Sequence, residues 1–250
     1  MISDDLQKLI NGGFTNSPTD IIVKEINADT LEFTELTCSR AGKLIKMKEG
    51  VDYTVKSEGG SRRWKTYMYT IKAACFDEEG TYYINIYSED RAKNISTNGV
   101  KGKSIEFTVD WTPPTMAVSD LEHRGRYREA VHTFTLGVKD NAKLAYAEMY
   151  SDGRLVHTCK QDELMAKDGT IKLNVDSKED YQTIRLIAYD AAGNASEPLE
   201  YSVLVTPSRW IQFYMNKPLL IGVVLIFSAI ICSLTFVRKL FYNNDAGVIR

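Results

Sequence analysis

The sequence predicts an all-β protein: two tandem β-sandwiches followed by one transmembrane α-helix. Three observations carry this prediction. The stretch Gly80-Thr-Tyr-Tyr-Ile-Asn-Ile-Tyr-Ser-Glu-Asp-Arg-Ala-Lys-Asn-Ile-Ser96 recurs without a gap as Asp180-Tyr-Gln-Thr-Ile-Arg-Leu-Ile-Ala-Tyr-Asp-Ala-Ala-Gly-Asn-Ala-Ser196. Apolar residues upstream of the C-terminal region alternate with a period of two, as on half-buried strands. A single long uncharged apolar run, 218–237, stands near the end of the chain.

Residues 1–17 read as an N-terminal segment with a short helical turn at 6–10. The first domain, 18–112, offers strands at 21–26, 31–37, 67–71, 83–88 and 105–109. Ile84, Ile86 and Ser88 alternate there with Tyr83, Asn85 and Tyr87, and β-branched and aromatic side chains suit a pleated, half-buried surface. Ala41-Gly42 marks a hairpin turn, because glycine takes positive φ without a Cβ clash. The second domain, 113–207, repeats the pattern with strands at 133–138, 145–150, 184–188 and 201–205 and a turn at Asp152-Gly153. Ile71-Lys72 falls on Ile171-Lys172 in the register of the repeat, and Gly42-Lys-Leu-Ile45 resembles Gly153-Arg-Leu-Val156 at another offset. The first copy therefore has a longer middle, around Glu49 to Arg63 and including a Gly59-Gly60-Ser61 turn. Between the copies, Asp110-Trp-Thr-Pro-Pro-Thr115 imposes an extended connector, since proline lacks an N–H and restricts the residue before it.

Residues 208–217 form a juxtamembrane linker, 218–237 the membrane helix and 238–250 a short tail. The run carries no charge over about 20 residues, which at ~1.5 Å per residue crosses a ~30 Å hydrocarbon core. Trp210, Phe213 and Tyr214 precede it, and Phe241 and Tyr242 follow it, as amphipathic rings do at the two interfaces. Arg238 and Lys239 follow the run directly, against Arg209 and Lys217 before it; this slight basic bias places the tail in the cytoplasm and the domains outside. The opening Met1-Ile-Ser-Asp-Asp-Leu-Gln-Lys-Leu lacks the apolar core of a secretory signal, so the expectation is a piece of a longer exported protein, the alternative being insertion directed by the C-terminal helix itself.

The 31 basic and 33 acidic residues nearly cancel, without a basic stripe, so nucleic acid is not an expected partner. The expected partners are the lipid bilayer, through the C-terminal helix, and an extracellular protein or carbohydrate.

The D-x-A-x-N-x-S turn at Asp90 to Ser96 and Asp190 to Ser196, the Asp110-x-Thr112-Pro113-Pro114 connector and Glu78-Glu-Gly80-Thr-Tyr82-Tyr-Ile84 resemble the bacterial immunoglobulin-like domains that stand in tandem on membrane-anchored cell-surface proteins. The resemblance covers roughly residues 19–206. It implies two immunoglobulin-like sandwiches, a tyrosine corner at Tyr82, and Ile84 and Ile184 where antibody domains carry the inter-sheet cysteines. The second copy departs from the pattern: it lacks the glycine of the corner, so either Tyr181 or its register differs.

No catalytic constellation emerges, and no cofactor is expected. His123, His132 and His157 show no paired ligand spacing, and there is no nucleophile elbow, phosphate loop or dinucleotide fingerprint. Among the four cysteines, Cys38 and Cys75 could pair, Cys159 is isolated and Cys232 lies in the apolar run. Asp90, Asn94, Asp190 and Asn194 read as structural turn residues, because short Asp and Asn side chains bond amides a few residues on. The alternative is an oxygen-ligand calcium site, with Asp90, Glu89 and Asp110 in the first domain and Asp190 with Asp140 in the second. Asn94-Ile-Ser96 and Asn194-Ala-Ser196 also match the glycosylation sequon, a match that recurs because the turn recurs.

Three function classes follow. The first is a non-catalytic, membrane-anchored surface protein whose domains act as stalk or interaction module. The second is a carbohydrate- or protein-binding adhesin module, for which Trp64, Tyr67 and Tyr69 are the aromatic candidates. The third is the anchor region of a larger extracellular enzyme.

Overall fold

The computed structural model describes residues 4–59, 64–98 and 104–245. The Gly60-Ser61 turn and Arg250 lie outside the described residues, as do the side chains of Phe241 and Tyr242. After helix α1 (Asp4–Leu9), the first sandwich is built from β1 (Asn11–Thr15), β2 (Ile21–Asn27), β3 (Leu31–Arg40), β4 (Lys43–Lys46), β5 (Tyr53–Glu58), β6 (Lys65–Ile71), β7 (Gly80–Asp90), β8 (Ile95–Thr97) and β9 (Ile105–Val109). One sheet runs β1-β9-β7-β3-β4, with β8 also on β7; the other runs β2-β6-β5.

The second sandwich contains β10 (Thr115–Ser119), β11 (Arg126–Tyr127), β12 (Val131–Lys139), β13 (Leu144–Ser151), β14 (Arg154–Lys160), helix α2 (Gln161–Ala166), β15 (Thr170–Asp176), β16 (Gln182–Asp190) and β17 (Leu199–Val205). Its sheets run β11-β17-β16-β13-β14 and β10-β12-β15. Both sandwiches share an immunoglobulin-like plan. A short strand early in each copy lies parallel to the last (β1 on β9, β11 on β17), and β2–β6 and β12–β15 are antiparallel pairs of the opposing sheet.

Alternation of buried and exposed residues explains why the sheets close face to face. On β15, Ile171, Leu173 and Val175 point in while Lys172 and Asn174 point out. Ile84 and Ile184 are fully buried, so aliphatic packing bridges the sheets where a disulfide would. The first core adds an aromatic cluster, with the Phe76 ring edge-on to Phe107 at 4.9 Å and Tyr82 stacked on Phe107 at 5.6 Å. Cys38 and Cys159 are buried, Cys75 is half-buried, and these three and Cys232 are free thiols.

Two hairpin turns coincide in the copies. Ala41-Gly42 and Asp152-Gly153 both have positive φ at both positions, 48° and 79° against 50° and 79°, the geometry that matches the twist of the flanking strands. The alignment of Ile71 with Ile171 does not hold in space. Ile71 ends β6 and pairs with Ile21, whereas Ile171 stands near the start of β15 and pairs with Leu136. The first copy spends extra residues after this strand, on the 3₁₀ turn Ala73–Cys75, and these displace the register. Its longer middle forms β5, where the second copy places α2. Asn11–Thr15, assigned from sequence to the N-terminal segment, pair with β9 and belong to the first sheet.

Beyond β17, helix α3 (Arg209–Tyr214) leads into helix α4 (Lys217–Asp245). Residues Lys217–Lys239 of α4 are long and apolar enough to cross a membrane, and no part of that stretch is buried against the rest of the chain.

Candidate functional site

The repeated turn has the same hydrogen bonds in both copies. Asp90 Oδ1 accepts the Asn94 amide at 2.9 Å and Oδ2 accepts Asn94 Nδ2 at 2.9 Å. Asp190 accepts the Asn194 amide at 2.8 Å and Asn194 Nδ2 at 2.7 Å. The side-chain and backbone donors of Asn94 hold the Asp90 carboxyl below the usual carboxylate range. Ser196 Oγ accepts the Ala188 amide at 2.9 Å. The sequon-like residues thus have turn duties of their own.

Among the described residues, only the second copy of the turn bonds across to the other sandwich. Asn194 Nδ2 also donates to the Asp110 carbonyl at 2.9 Å, and Asn16 Nδ2 donates to Asn194 Oδ1 at 3.0 Å. Asp110 directly follows β9, and its amide donates to the Thr15 carbonyl. Its Oδ1 accepts from the Thr112 amide at 3.1 Å and from Asn141 Nδ2 at 3.2 Å. The junction is therefore a network of Asp and Asn side chains contributed by the end of the first sandwich and two loops of the second.

Three carboxylates converge in this network. One ligand oxygen from each of Asp110, Asp140 and Asp190 lies within 4.8 Å of the other two. Asp110 is 1% exposed and Asp190 3% exposed. Asp110 Oδ2 and Asp140 Oδ1 are buried and have no hydrogen-bond partner among the described residues. Burial, with the Asp140 and Asp190 carboxylates close by, pushes the Asp110 carboxyl above the usual range. Two unit charges at that separation repel by roughly 3 kcal/mol at an effective dielectric of about 20. The convergence expected from sequence joined Asp110 to Asp90 and Glu89. The structure joins it to Asp140 and Asp190 instead, because the connector points the end of β9 into the second sandwich.

The other candidate residues separate. Tyr82 Oη donates to the Glu78 carbonyl at 2.8 Å and accepts the Glu78 amide at 3.2 Å. In the second copy the equivalent position is Gln182, not Tyr181; its Nε2 donates to the Asp176 carbonyl at 2.8 Å. The aromatic group at Trp64, Tyr67 and Tyr69 forms no platform. Tyr67 and Tyr69 alternate into the core, and Trp64 alone is exposed. Of the histidines, His132 is buried against Tyr127, with its ring nitrogens 2.5 Å from Glu129 Oε1 and the Asp120 carbonyl. One ligand atom from each of His157, Cys159 and Glu163 also lies within 4.8 Å of the other two, with Cys159 buried and its thiol pushed up to about 11 by that burial.

At the other end of the second sandwich, Ser208 Oγ caps α3 by accepting the Ile211 amide at 3.4 Å. Gln212 Nε2 donates to the Tyr127 carbonyl at 3.0 Å, tying α3 to β11. Trp210 and Tyr214 on α3 are exposed, as are Arg238 and Lys239 near the far end of α4.

No protein-family model matches this chain. No curated protein matches it either. It is similar in fold to the fibronectin(III)-like modules of Clostridium thermocellum CbhA, at 14% identity over 78% of this chain and 90% of that one, with a TM-score of 0.39. A tetra-tandem repeat from the extending region of a large adhesion protein is similar at 17% identity over 76% of this chain and 46% of that one, with a TM-score of 0.34. A 1.5-MDa bacterial ice-binding adhesin is similar at 13% identity over 77% and 60%, with a TM-score of 0.35. Likeness at this level says nothing of ligand or role.

Proposed function

We propose that the chain is a non-catalytic, membrane-anchored surface protein, with its two immunoglobulin-like sandwiches standing outside the bilayer as a stalk or interaction module. The carrying observation is the serial arrangement. The junction network fastens the first sandwich to the second, and Gln212 fastens the second to the short helix that leads into the apolar one. A stalk needs mechanical continuity of this kind from tip to membrane.

Trp210 and Tyr214 suit the outer interface, where an amphipathic ring is half wet, and Arg238 with Lys239 suit the cytoplasmic one. The domain boundaries that go with this reading are 18–112 and 113–207, with the β1 strand attached to the first.

A second reading, recognition of an extracellular protein or small apolar ligand, has one feature in its favour. An open cleft on the first sandwich is floored by Cys38, Met47 and Tyr82 and edged by Arg40, Lys43 and Lys72.

The test is fractionation followed by protease treatment of intact cells. The full chain should sediment with membranes and resist carbonate extraction, and external protease should remove the sandwiches while sparing the tail. A chain that is soluble without detergent, or one trimmed only at its tail, would sink the proposal.

A further inference from the structure

The junction carboxylates point to a ligand that the turn chemistry does not require. We infer that Asp110, Asp140 and Asp190 form a divalent-cation site, for calcium, that stiffens the joint between the two sandwiches. The argument starts from the internal repeat, which supplies each residue with a counterpart doing the same structural work.

Asp110 caps a last strand. Its amide donates to the Thr15 carbonyl, and its side chain accepts the amide two residues on, that of Thr112. Thr206 stands at the same place after β17. Its amide donates to the Tyr127 carbonyl, and its hydroxyl accepts the amide two residues on, that of Ser208. One side-chain oxygen is enough for this turn, so the buried second oxygen of Asp110 is surplus to it.

Asp140 has a counterpart too. Its Oδ2 accepts the Ala142 amide at 3.0 Å, just ahead of β13. Ahead of β3, Asn27 Oδ1 accepts the Asp29 amide at 3.3 Å. A neutral amide serves there, so the charge on Asp140 is also surplus to the turn. Asp190 matches Asp90, and both close their turns with Asn.

The extra acids are thus placed only where the two sandwiches meet. The first sandwich's corresponding end, with Asn27 and Asp90, gathers no such trio among the described residues. At the junction the extra charges leave two buried oxygens, Asp110 Oδ2 and Asp140 Oδ1, without donors among the described residues. Native structures rarely leave buried polar atoms unpaired, and a hard cation satisfies carboxylate oxygens that no N–H reaches. The donor set is all oxygen and carries three negative charges, which selects calcium over zinc or copper; water completes the shell of six to eight. Asn141 and Asn194 orient the cluster by holding Asp110 and Asp190.

Because ligands come from both sandwiches, occupancy fixes their relative angle. The inference deepens the stalk reading without depending on the same measurement: membrane fractionation tests the anchor, and calcium titration tests the joint.

The experiment uses the full chain in a non-ionic detergent. Thermal unfolding is followed by circular dichroism in chelator, in ~5 mM calcium and in ~5 mM magnesium, alongside calorimetric titration with calcium. One calcium should bind per chain, with an affinity in the ~0.1–1 mM range of extracellular modules, and should raise the melting temperature by about 5 °C, more than magnesium does. Asp140→Asn should lose the gain and weaken binding at least about tenfold. Asp110→Asn should behave alike, and if that buried variant does not fold, the half-exposed Asp140 still decides the matter. Asp90→Asn should melt lower than the wild type yet keep the calcium gain. Identical melting of the wild type in chelator and calcium would overturn the inference and leave a proton shared among the carboxylates. A calcium gain that survives Asp140→Asn, or one lost in Asp90→Asn, would overturn it as well.

Discussion

The Asn194 side-chain amide donates to the backbone carbonyl of Asp110 at 2.9 Å, joining a loop of the second sandwich to the last strand of the first. Asn94, at the same place in the first copy, closes the same turn on Asp90 and makes no corresponding contact with another sandwich among the described residues. One turn sequence therefore has two roles, set by what lies beside it.

This difference predicts the outcome of a matched pair of substitutions. Asn94→Ala and Asn194→Ala should each weaken the host sandwich, since both release an Asp carboxylate from its amide. Only Asn194→Ala should loosen the joint, and limited proteolysis at the 110–115 connector should accelerate several-fold for it alone. Equal cleavage of the two variants would show that the Asn194 contact does not hold the connector.

The tyrosine corner makes a quantitative prediction. Tyr82→Phe keeps the ring in its aromatic cluster and removes both hydrogen bonds to the Glu78 backbone. The first sandwich should lose about 2 kcal/mol, about 1 for each bond, while the second unfolds unchanged. Chemical denaturation with one probe in each sandwich would check this. A loss near zero would mean that water takes over the Glu78 groups without penalty.

The thiols predict a pH response. Burial pushes Cys38 and Cys159 from an ordinary 9.0 up to about 11 in the folded protein, so both stay protonated at neutral pH. Iodoacetamide at about pH 8 should leave them unlabelled until the chain is unfolded. A folded-state value above the unfolded one favours the fold below pH 9, and that contribution is lost as pH rises from about 9 to about 11. Labelling of native Cys38 at the rate of a free thiol would contradict this.

Much of the architecture was legible in the residues themselves. The period-two alternation at Ile84, Ile86 and Ile184, Leu186 marked core strands because a pleated strand must send successive side chains to opposite faces. The glycines at 42 and 153 marked the hairpins because only certain residues accept positive φ. The apolar run marked the long C-terminal helix because its length and lack of charge suit no other element. Such signals are local, and one stretch of chain contains all of each.

The tertiary structure decided what depended on two distant stretches at once. By sequence Tyr67 and Tyr69 suit either a packed strand face or an exposed aromatic group, and the pairing of β6 with β2 turns them inward and leaves Trp64 outside. Gln182 took the corner place of Tyr82 because strand register, not residue type, set that position. Asp110, Asp140 and Asp190 are scattered along the sequence, and proximity along the chain groups Asp110 with Asp90 instead. Only the direction of the connector brings Asp110 to the second sandwich, where it meets two more carboxylates. Short-range steric preference is written residue by residue, whereas the meeting of charges across a joint follows from how two folded cores pack end to end.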